Sequence, residues 1–151
     1  MGGRTLDLGG GWVWSLCENG RGRLLAGCED GTVRTVDLDE WEVVRVEHFP
    51  APVRAVSPSS VGLADGRLVA DGEAFQAHAG IVTGVVELGG GRVATASEDC
   101  TVAVWDLRTR QRLGEGRCDD FCRSVARDGQ GLVTASYDGS VRRWAVDLEG
   151  A

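Results

Sequence analysis

The stretch of residues 77–113 constrains the fold most, because it carries short apolar runs that Gly and Asp clusters separate. The runs lie at 81–86, 92–96 and 102–105, with a weaker one near Leu113. Each run is only long enough for one strand, and Glu98-Asp99-Cys100 makes a tight connection between the second run and the third. The stretch therefore predicts a four-stranded antiparallel meander.

Four residues of this stretch, His78, Thr95, Asp99 and Trp105, have a characteristic spacing. Their types and positions resemble one repeat of the WD-repeat (β-transducin repeat) family, whose repeats form the blades of β-propellers. The resemblance implies a structural tetrad in which the Trp105 indole donates to the Thr95 hydroxyl. In it, Thr95 bonds one ring nitrogen of His78, and the other ring nitrogen meets the Asp99 carboxylate. Every polar group of the tetrad then has a partner.

Equivalent strands recur along the chain with a period near 40 residues. Val13 and Val53 are 40 residues apart, and so are Val82 and Cys122, whereas Val53 and Val82 are separated by 29. A period of about 40–45 residues is typical of WD-type blades. The sequence thus predicts one all-β propeller domain of four-stranded antiparallel blades. Its blade units are expected at 12–48, 53–77, 81–114 and 121–147, with residues 4–8 as a closing outer strand.

The tetrad is only partly repeated in the other units. Unit four keeps Thr134, Asp138 and Trp144 at the same spacing, but Cys118 replaces the His. Unit one keeps only the turn residue Asp30. Unit two keeps only two hairpin turns, each an Asp-Gly pair. His48 lies one residue early and is interpreted as an ordinary residue at a strand end.

The number of units predicts how the propeller closes. Propellers have about 4–8 blades, and a four-blade arc of a wider ring would leave two sheet faces exposed. A second copy would cover both faces with twofold symmetry, the commonest symmetry of oligomers. We therefore expect an eight-bladed ring of two chains. We expect the two chains of the ring to exchange their N-terminal strands, because the resemblance implies that this strand completes the last blade. A compact four-bladed monomer is the alternative.

Composition and charge argue against several classes of function. All 16 basic residues are Arg and the net charge is −7, which does not favour nucleic-acid binding. The sequence has neither a long uncharged apolar run nor a signal-peptide pattern, so we expect a soluble, cytoplasmic protein without a membrane partner.

No cofactor, metal site or active site is predicted. Most of the five cysteines are expected to be small buried apolar residues. Cys118 and Cys122 leave a metal or redox role as an alternative, but no second ligand pair lies near them. His78, Thr95 and Asp99 have the residue types of a nucleophilic triad, yet the structural tetrad accounts for each. The Asp that recurs in each turn is interpreted first as a turn former.

The resemblance also implies a face that binds partners. In WD-repeat proteins this face commonly includes the residues that flank the start of each first strand and the residue before each turn Asp. Here those positions give Trp12, Trp14, Arg54, Thr83, Phe121, Arg123, Glu29, Glu98 and Tyr137. Aromatic residues and Arg are enriched at binding hot spots, although Trp12 and Trp14 could instead fill space between blades. We expect a non-catalytic interaction scaffold that binds a protein or peptide and assembles as a homodimer. The alternative is a regulatory subunit that completes a partner protein's propeller.

Overall fold

Short strands and tight turns make up the chain, for which a computed structural model describes residues 1–129 and 131–147. Sheet 1 contains β1 (Val13–Glu18), β2 (Arg23–Cys28), β3 (Thr32–Asp37) and β4 (Glu42–His48). Sheet 2 contains β5 (Val53–Val56), β6 (Val61–Leu63), β7 (Arg67–Ala70) and β8 (Glu73–Gln76). Sheet 3 contains β9 (Val82–Gly89), β10 (Arg92–Ser97), β11 (Thr101–Asp106) and β12 (Gln111–Arg117). Sheet 4 contains β13 (Cys122–Asp128), β14 (Gly131–Ser136) and β15 (Val141–Ala145).

Each sheet is an antiparallel meander in which strands pair only with their neighbours in the sequence. The turn between the second and third strands is built in the same way in all four sheets. An Asp side chain accepts a hydrogen bond from the backbone N–H two residues later, as Asp99 does from Thr101 at 2.9 Å. The residue between them has a positive φ, which Gly adopts at least cost. It is Gly in three sheets, while Cys100 takes this conformation in sheet 3 with φ 70°.

The sheets follow one another in an arc with an apolar core between each successive pair. Strand β1 packs against β5, β5 against β9, and β9 against β13. The core between sheets 1 and 2 is formed by Val33, Val53, Val56, Leu63 and Val69. Trp105 belongs to the core between sheets 2 and 3, and Leu132 to the core between sheets 3 and 4. No helix in the described part of the chain is long and apolar enough to cross a membrane.

The first residue of each first strand differs in burial according to its sheet. Val53, Val82 and Cys122 are fully buried against the preceding sheet. Val13 was expected to be equivalent, but its side chain is 45% exposed. The reason is that β1 packs against sheet 2 on one side, whereas among the described residues no preceding sheet packs against its other side.

The strand ends and the N-terminal segment differ in detail from the sequence-based expectations. Trp41 lies in the turn before β4 with φ 54°, although aromatic residues favour strands. Strand β12 reaches Arg117 although it has little apolar character. Residues 4–8 form no strand in the single chain. Leu6 and Leu8 are nevertheless half-buried, while Thr5 and Asp7 between them are exposed.

Candidate interaction face

The tetrad side chains of sheet 3 form one continuous hydrogen-bonded chain. The Trp105 Nε1–H donates to Thr95 Oγ1 at 2.9 Å, and Thr95 Oγ1 lies 2.6 Å from His78 Nε2. His78 Nδ1 lies 2.9 Å from Asp99 Oδ2. Since the Thr95 oxygen accepts from the indole, its own proton is free to point to Nε2. Nδ1 then carries the proton that is donated to the carboxylate, which fixes a neutral tautomer.

Burial and hydrogen bonding set the protonation states of the tetrad. Burial lowers the pKa of His78, although the neighbouring Asp99 carboxylate opposes this shift. Burial alone would raise the pKa of Asp99, but hydrogen bonds from Thr101 and His78 outweigh it and bring this pKa below its usual value. The Thr95 hydroxyl is fully buried and already bonded to two groups. The network therefore uses it to hold Trp105 in place.

Sheet 4 keeps a reduced form of the same network. The Trp144 Nε1–H donates to Thr134 Oγ1 at 2.9 Å, as in sheet 3. Cys118 stands at the His position, and its Sγ lies 3.9 Å from the Thr134 oxygen. The Asp138 carboxylate stays within its own turn, where it accepts from Ser140. In sheet 1, Asp30 likewise accepts from Thr32 in its turn.

Three of the cysteines, Cys28, Cys118 and Cys122, are buried, whereas Cys17 and Cys100 are half-buried. Cys118 and Cys122 pack together with Ala96, and burial raises the pKa of the Cys122 thiol. A raised pKa keeps a thiol protonated and poorly nucleophilic. All five cysteines are free. Within residues 1–129 and 131–147, His, Cys, Asp and Glu side chains do not form a group that could hold a metal ion.

Four of the expected face residues form one group, which we call cluster A: Trp12, Trp14, Glu29 and Arg54. The Trp14 indole N–H donates to Glu29 Oε2 at 2.5 Å. The Arg54 guanidinium lies over the Trp14 ring, 3.8 Å from its centroid. The rings of Trp12 and Trp14 meet edge to face with centroids 5.5 Å apart, and Trp12 is 71% exposed. Cluster A thus joins sheet 1 to sheet 2 through a cation–π contact.

A second group, cluster B, consists of Glu98, Phe121, Arg123 and Tyr137. Arg123 Nη1 lies 3.1 Å from Glu98 Oε1, and its guanidinium is 5.1 Å from the centroid of the Tyr137 ring. The rings of Phe121 and Tyr137 have centroids 5.9 Å apart. Tyr137 is 60% exposed. Cluster B therefore joins sheet 3 to sheet 4 with the same residue chemistry as cluster A.

One backbone hydrogen bond repeats in both clusters and sets their geometry. Glu29 N–H donates to the Trp12 carbonyl at 2.8 Å, and Tyr137 N–H donates to the Phe121 carbonyl at 3.1 Å. The bond brings the residue before the turn Asp beside the residue before the first strand. Thr83 differs from the other expected face residues, because its hydroxyl donates to the Cys122 carbonyl at 2.6 Å. It thus links sheets 3 and 4.

The sequence did not indicate a groove that lies beside β15, the last described strand of sheet 4. The groove has a volume of about 410 Å³. Its apolar lining comes from both sheets: Val102, Val104, Leu113, Leu132, Trp144 and Val146. It runs between the outer strand of sheet 3 and the open side of sheet 4, so no single sequence motif encodes it.

The comparisons with known proteins agree with this architecture. The family model described as "WD domain, G-beta repeat" matches residues 4–37, 69–106 and 112–145. Among solved structures, the computationally designed Ika4 protein is 20% identical with a TM-score of 0.77, covering 97% of this chain and 100% of its own. The computationally designed Ika8 protein is also 20% identical, with a TM-score of 0.71 and 89% of this chain covered. The chain corresponds to only 46% of Ika8. No curated protein matches the chain significantly. The repeats matched by the family model confirm the resemblance: the chain belongs to the WD40 family of WD-repeat proteins.

Proposed function

We propose that this chain is half of an eight-bladed ring of two copies and acts as a non-catalytic scaffold for protein interactions. One observation carries the proposal. Apolar residues of the two end sheets, sheets 1 and 4, are exposed, whereas residues at equivalent positions of the inner sheets are buried. An apolar sheet face of this kind is stabilised when another sheet covers it.

The exposed face of sheet 1 is defined by Val13 and Leu16, which are 45% and 59% exposed. Val56, the sheet 2 residue equivalent to Leu16, is buried. The exposed face of sheet 4 includes Val141, three residues after its turn Asp and 73% exposed. Val33 and Val102 have the same position in sheets 1 and 3, and both are buried. The end faces therefore have the residue types of the inner faces but lack the neighbouring sheet.

The family match supports an outer-strand position for residues 4–8. The match at 112–145 begins with residues of β12, the outer strand of the preceding sheet. The match at 69–106 likewise includes β8 of the preceding sheet. By the same alignment, residues 4–8 would be the outer strand of a sheet that precedes sheet 1. In a two-chain ring, that sheet is sheet 4 of the partner subunit.

Within residues 1–129 and 131–147, sheet 4 has no strand beyond β15, which supports a place there for such a strand. In sheets 1 and 2, the segment that follows the outer strand approaches the turn Gly closely. A Cβ at Gly31 would lie 2.8 Å from the Phe49 carbonyl oxygen, and Gly66 is similarly close to His78. At Gly139 of sheet 4, no described atom lies within 4 Å of a Cβ placed there. The groove beside β15 is open at the same sheet, and an unpaired strand edge readily pairs with another chain.

The scaffold role is supported by the family and by clusters A and B. The WD40 propeller fold suggests a protein-interaction scaffold. Trp, Tyr, Phe and Arg are enriched at binding hot spots, and both clusters expose them. The chain also corresponds to 46% of Ika8, so two copies are needed to reach that size.

The mass in solution tests the ring. The chain has a mass of 16.0 kDa, so a ring of two copies should appear as a particle of about 32 kDa in light scattering. Deletion of residues 1–8 should convert the dimer into monomers or aggregates, because sheet 4 loses its outer strand. Leu16→Glu should dissociate the ring as well, since it places a charge on the covered face.

Val44→Glu is the matched control for Leu16→Glu. Val44 is an exposed apolar residue of the outer strand β4, so the same change should leave the dimer intact. A full-length monomer of normal stability would refute the ring and favour a four-bladed wheel. A full-length chain that aggregates alone and becomes soluble with another protein would instead support the subunit that completes a partner's propeller.

A further inference from the structure

In the proposed ring, sheet 1 of one copy meets sheet 4 of the other along an interface that we call the seam. We infer that the seam is a composite binding site for a basic peptide side chain. Cluster A of one copy and cluster B of the other would form it together. The inference rests on the proposed ring, and it adds the location of the site, the copies that contribute to it and the chemistry of its ligand.

The contacts within one chain show which residues meet across a seam. Glu98, the residue before the turn Asp of sheet 3, reaches Arg123, the second residue of the first strand of sheet 4, at 3.1 Å. Across the seam, Tyr137 of the partner subunit has the position of Glu98, and Trp14 has the position of Arg123. Trp12 contacts Trp14, and Phe121 contacts Tyr137, within each chain. The seam therefore brings four aromatic rings into one row.

The contacts of these rings identify a cation as the ligand. The chain already places Arg54 over Trp14 and Arg123 over Tyr137, so these ring faces bind guanidinium groups in this fold. Trp12 and Tyr137 remain the most exposed members of the row. Tyr137 keeps this exposed surface although Arg123 already contacts its ring, so both rings retain surface for a cation that comes from another protein.

The charges around the row favour the same ligand. Clusters A and B contain two carboxylates, Glu29 and Glu98, and two guanidinium groups, which balance one another. Asp120, which directly precedes Phe121 in cluster B, leaves one negative charge in excess at the row. The whole chain carries a net charge of −7. A negative surface attracts basic segments and repels acidic ones. An Arg or Lys side chain of a peptide therefore fits the seam better than an acidic side chain or a phosphate.

Twofold symmetry would give the ring two identical seams on opposite sides. A partner with two basic segments could bind both at once, which raises the apparent affinity without any new contact.

The first experiment measures peptide binding to the full-length ring. The probe is a fluorescent peptide of alternating Gly and Arg, and the control peptide has Glu in place of Arg. Anisotropy should increase with the Arg peptide alone. Trp12→Ala and Tyr137→Ala should each weaken binding about tenfold, as truncation of a hot-spot residue does. Both variants should stay dimeric in light scattering. Trp41→Ala, which removes an indole outside the row, should bind normally.

The second experiment asks whether the site is shared between copies. A Trp12→Ala chain and a Tyr137→Ala chain are given different tags, and the mixed dimer is purified through both tags. One of its seams carries both changes and the other carries neither, so it should retain about half of the wild-type binding capacity. A mixed dimer of a wild-type chain and a chain with both changes has one change in each seam and should bind weakly.

The outcomes separate the two proposals. A monomer in light scattering refutes the ring, and the seam with it. A stable dimer that does not bind the Arg peptide, or binds the Glu peptide equally well, refutes the ligand while the ring stands. The mixed dimer of a Trp12→Ala chain and a Tyr137→Ala chain tests the sharing of the site. If this dimer has no binding capacity, the composite site is refuted, because each copy then carries its own complete site.

Discussion

Removal of the Thr95 hydroxyl should reduce the free energy of unfolding more than removal of any other hydroxyl of the chain. Replacing Thr95 with Val therefore tests the tetrad directly. Val keeps the shape of Thr but removes the oxygen that joins Trp105 to His78. Both partners are buried, so the indole N–H loses its acceptor and the imidazole loses its donor. A buried polar group left without a partner costs about 1–3 kcal/mol, so the two groups together should make Thr95→Val cost about 2–6 kcal/mol.

Thr134→Val in sheet 4 is the matched control. Its hydroxyl accepts from the Trp144 indole at the same 2.9 Å, but its second contact is only the Cys118 thiol at 3.9 Å. Trp144 is also only half-buried, so water can partly replace the lost acceptor. We therefore expect a loss of about 1 kcal/mol.

Urea titration and thermal unfolding measure the difference between these variants. In a chain of this length, each kcal/mol lowers Tm by about 2–4 °C, so Thr95→Val should melt roughly 4–24 °C below wild type. Protein concentration must be the same for every variant, because Tm of an oligomer depends on it. Equal losses for the two variants would refute the reasoning, since the His78 bond would then contribute nothing.

The remaining predictions concern the core and the pH dependence of stability. Trp105→Ala should cost about 3–5 kcal/mol in a urea titration, because it empties a buried aromatic site. Trp41→Ala should cost much less, since the indole N–H of Trp41 is buried without a partner among the described residues. Equal losses at the two Trp positions would show that the core is misplaced. The pKa of His78 is lowered by burial, so as pH falls below about 6.5 the unfolded chain takes up a proton that the folded chain does not. Stability should therefore decrease from pH 7.5 to pH 5, and His78→Cys, which copies the residue of unit four, should reduce this decrease. An unchanged slope in that variant would contradict the assignment.

The repeat architecture was predictable because its signals are local. Asp30, Asp99 and Asp138 each mark a tight turn, and the Thr and Trp of units three and four stand at fixed distances from it. Such spacing survives in a single sequence because the strands of one sheet are consecutive. The family and the antiparallel sheets were therefore predicted correctly.

Features that depend on neighbouring sheets were harder to predict. Val13 has the residue type and position of a buried strand residue, but its exposure depends on a sheet that the single chain does not contain. The stacking of Arg54 on Trp14 joins residues 40 positions apart, which no local pattern reports. Trp41 has a residue type that favours strands. The turn before β4 overrides that preference.

The sequential pairing of the strands also has a consequence for folding. Each hairpin joins segments that are close in the sequence, so the loops that must close are short and the entropy cost of each step is small. A nascent chain can thus complete one sheet before the next has been synthesised. In the proposed ring, two steps need a second molecule: the exchange of the N-terminal strand and the covering of the exposed faces of sheets 1 and 4. The rates of these two steps depend on protein concentration, whereas the rates of the earlier steps do not.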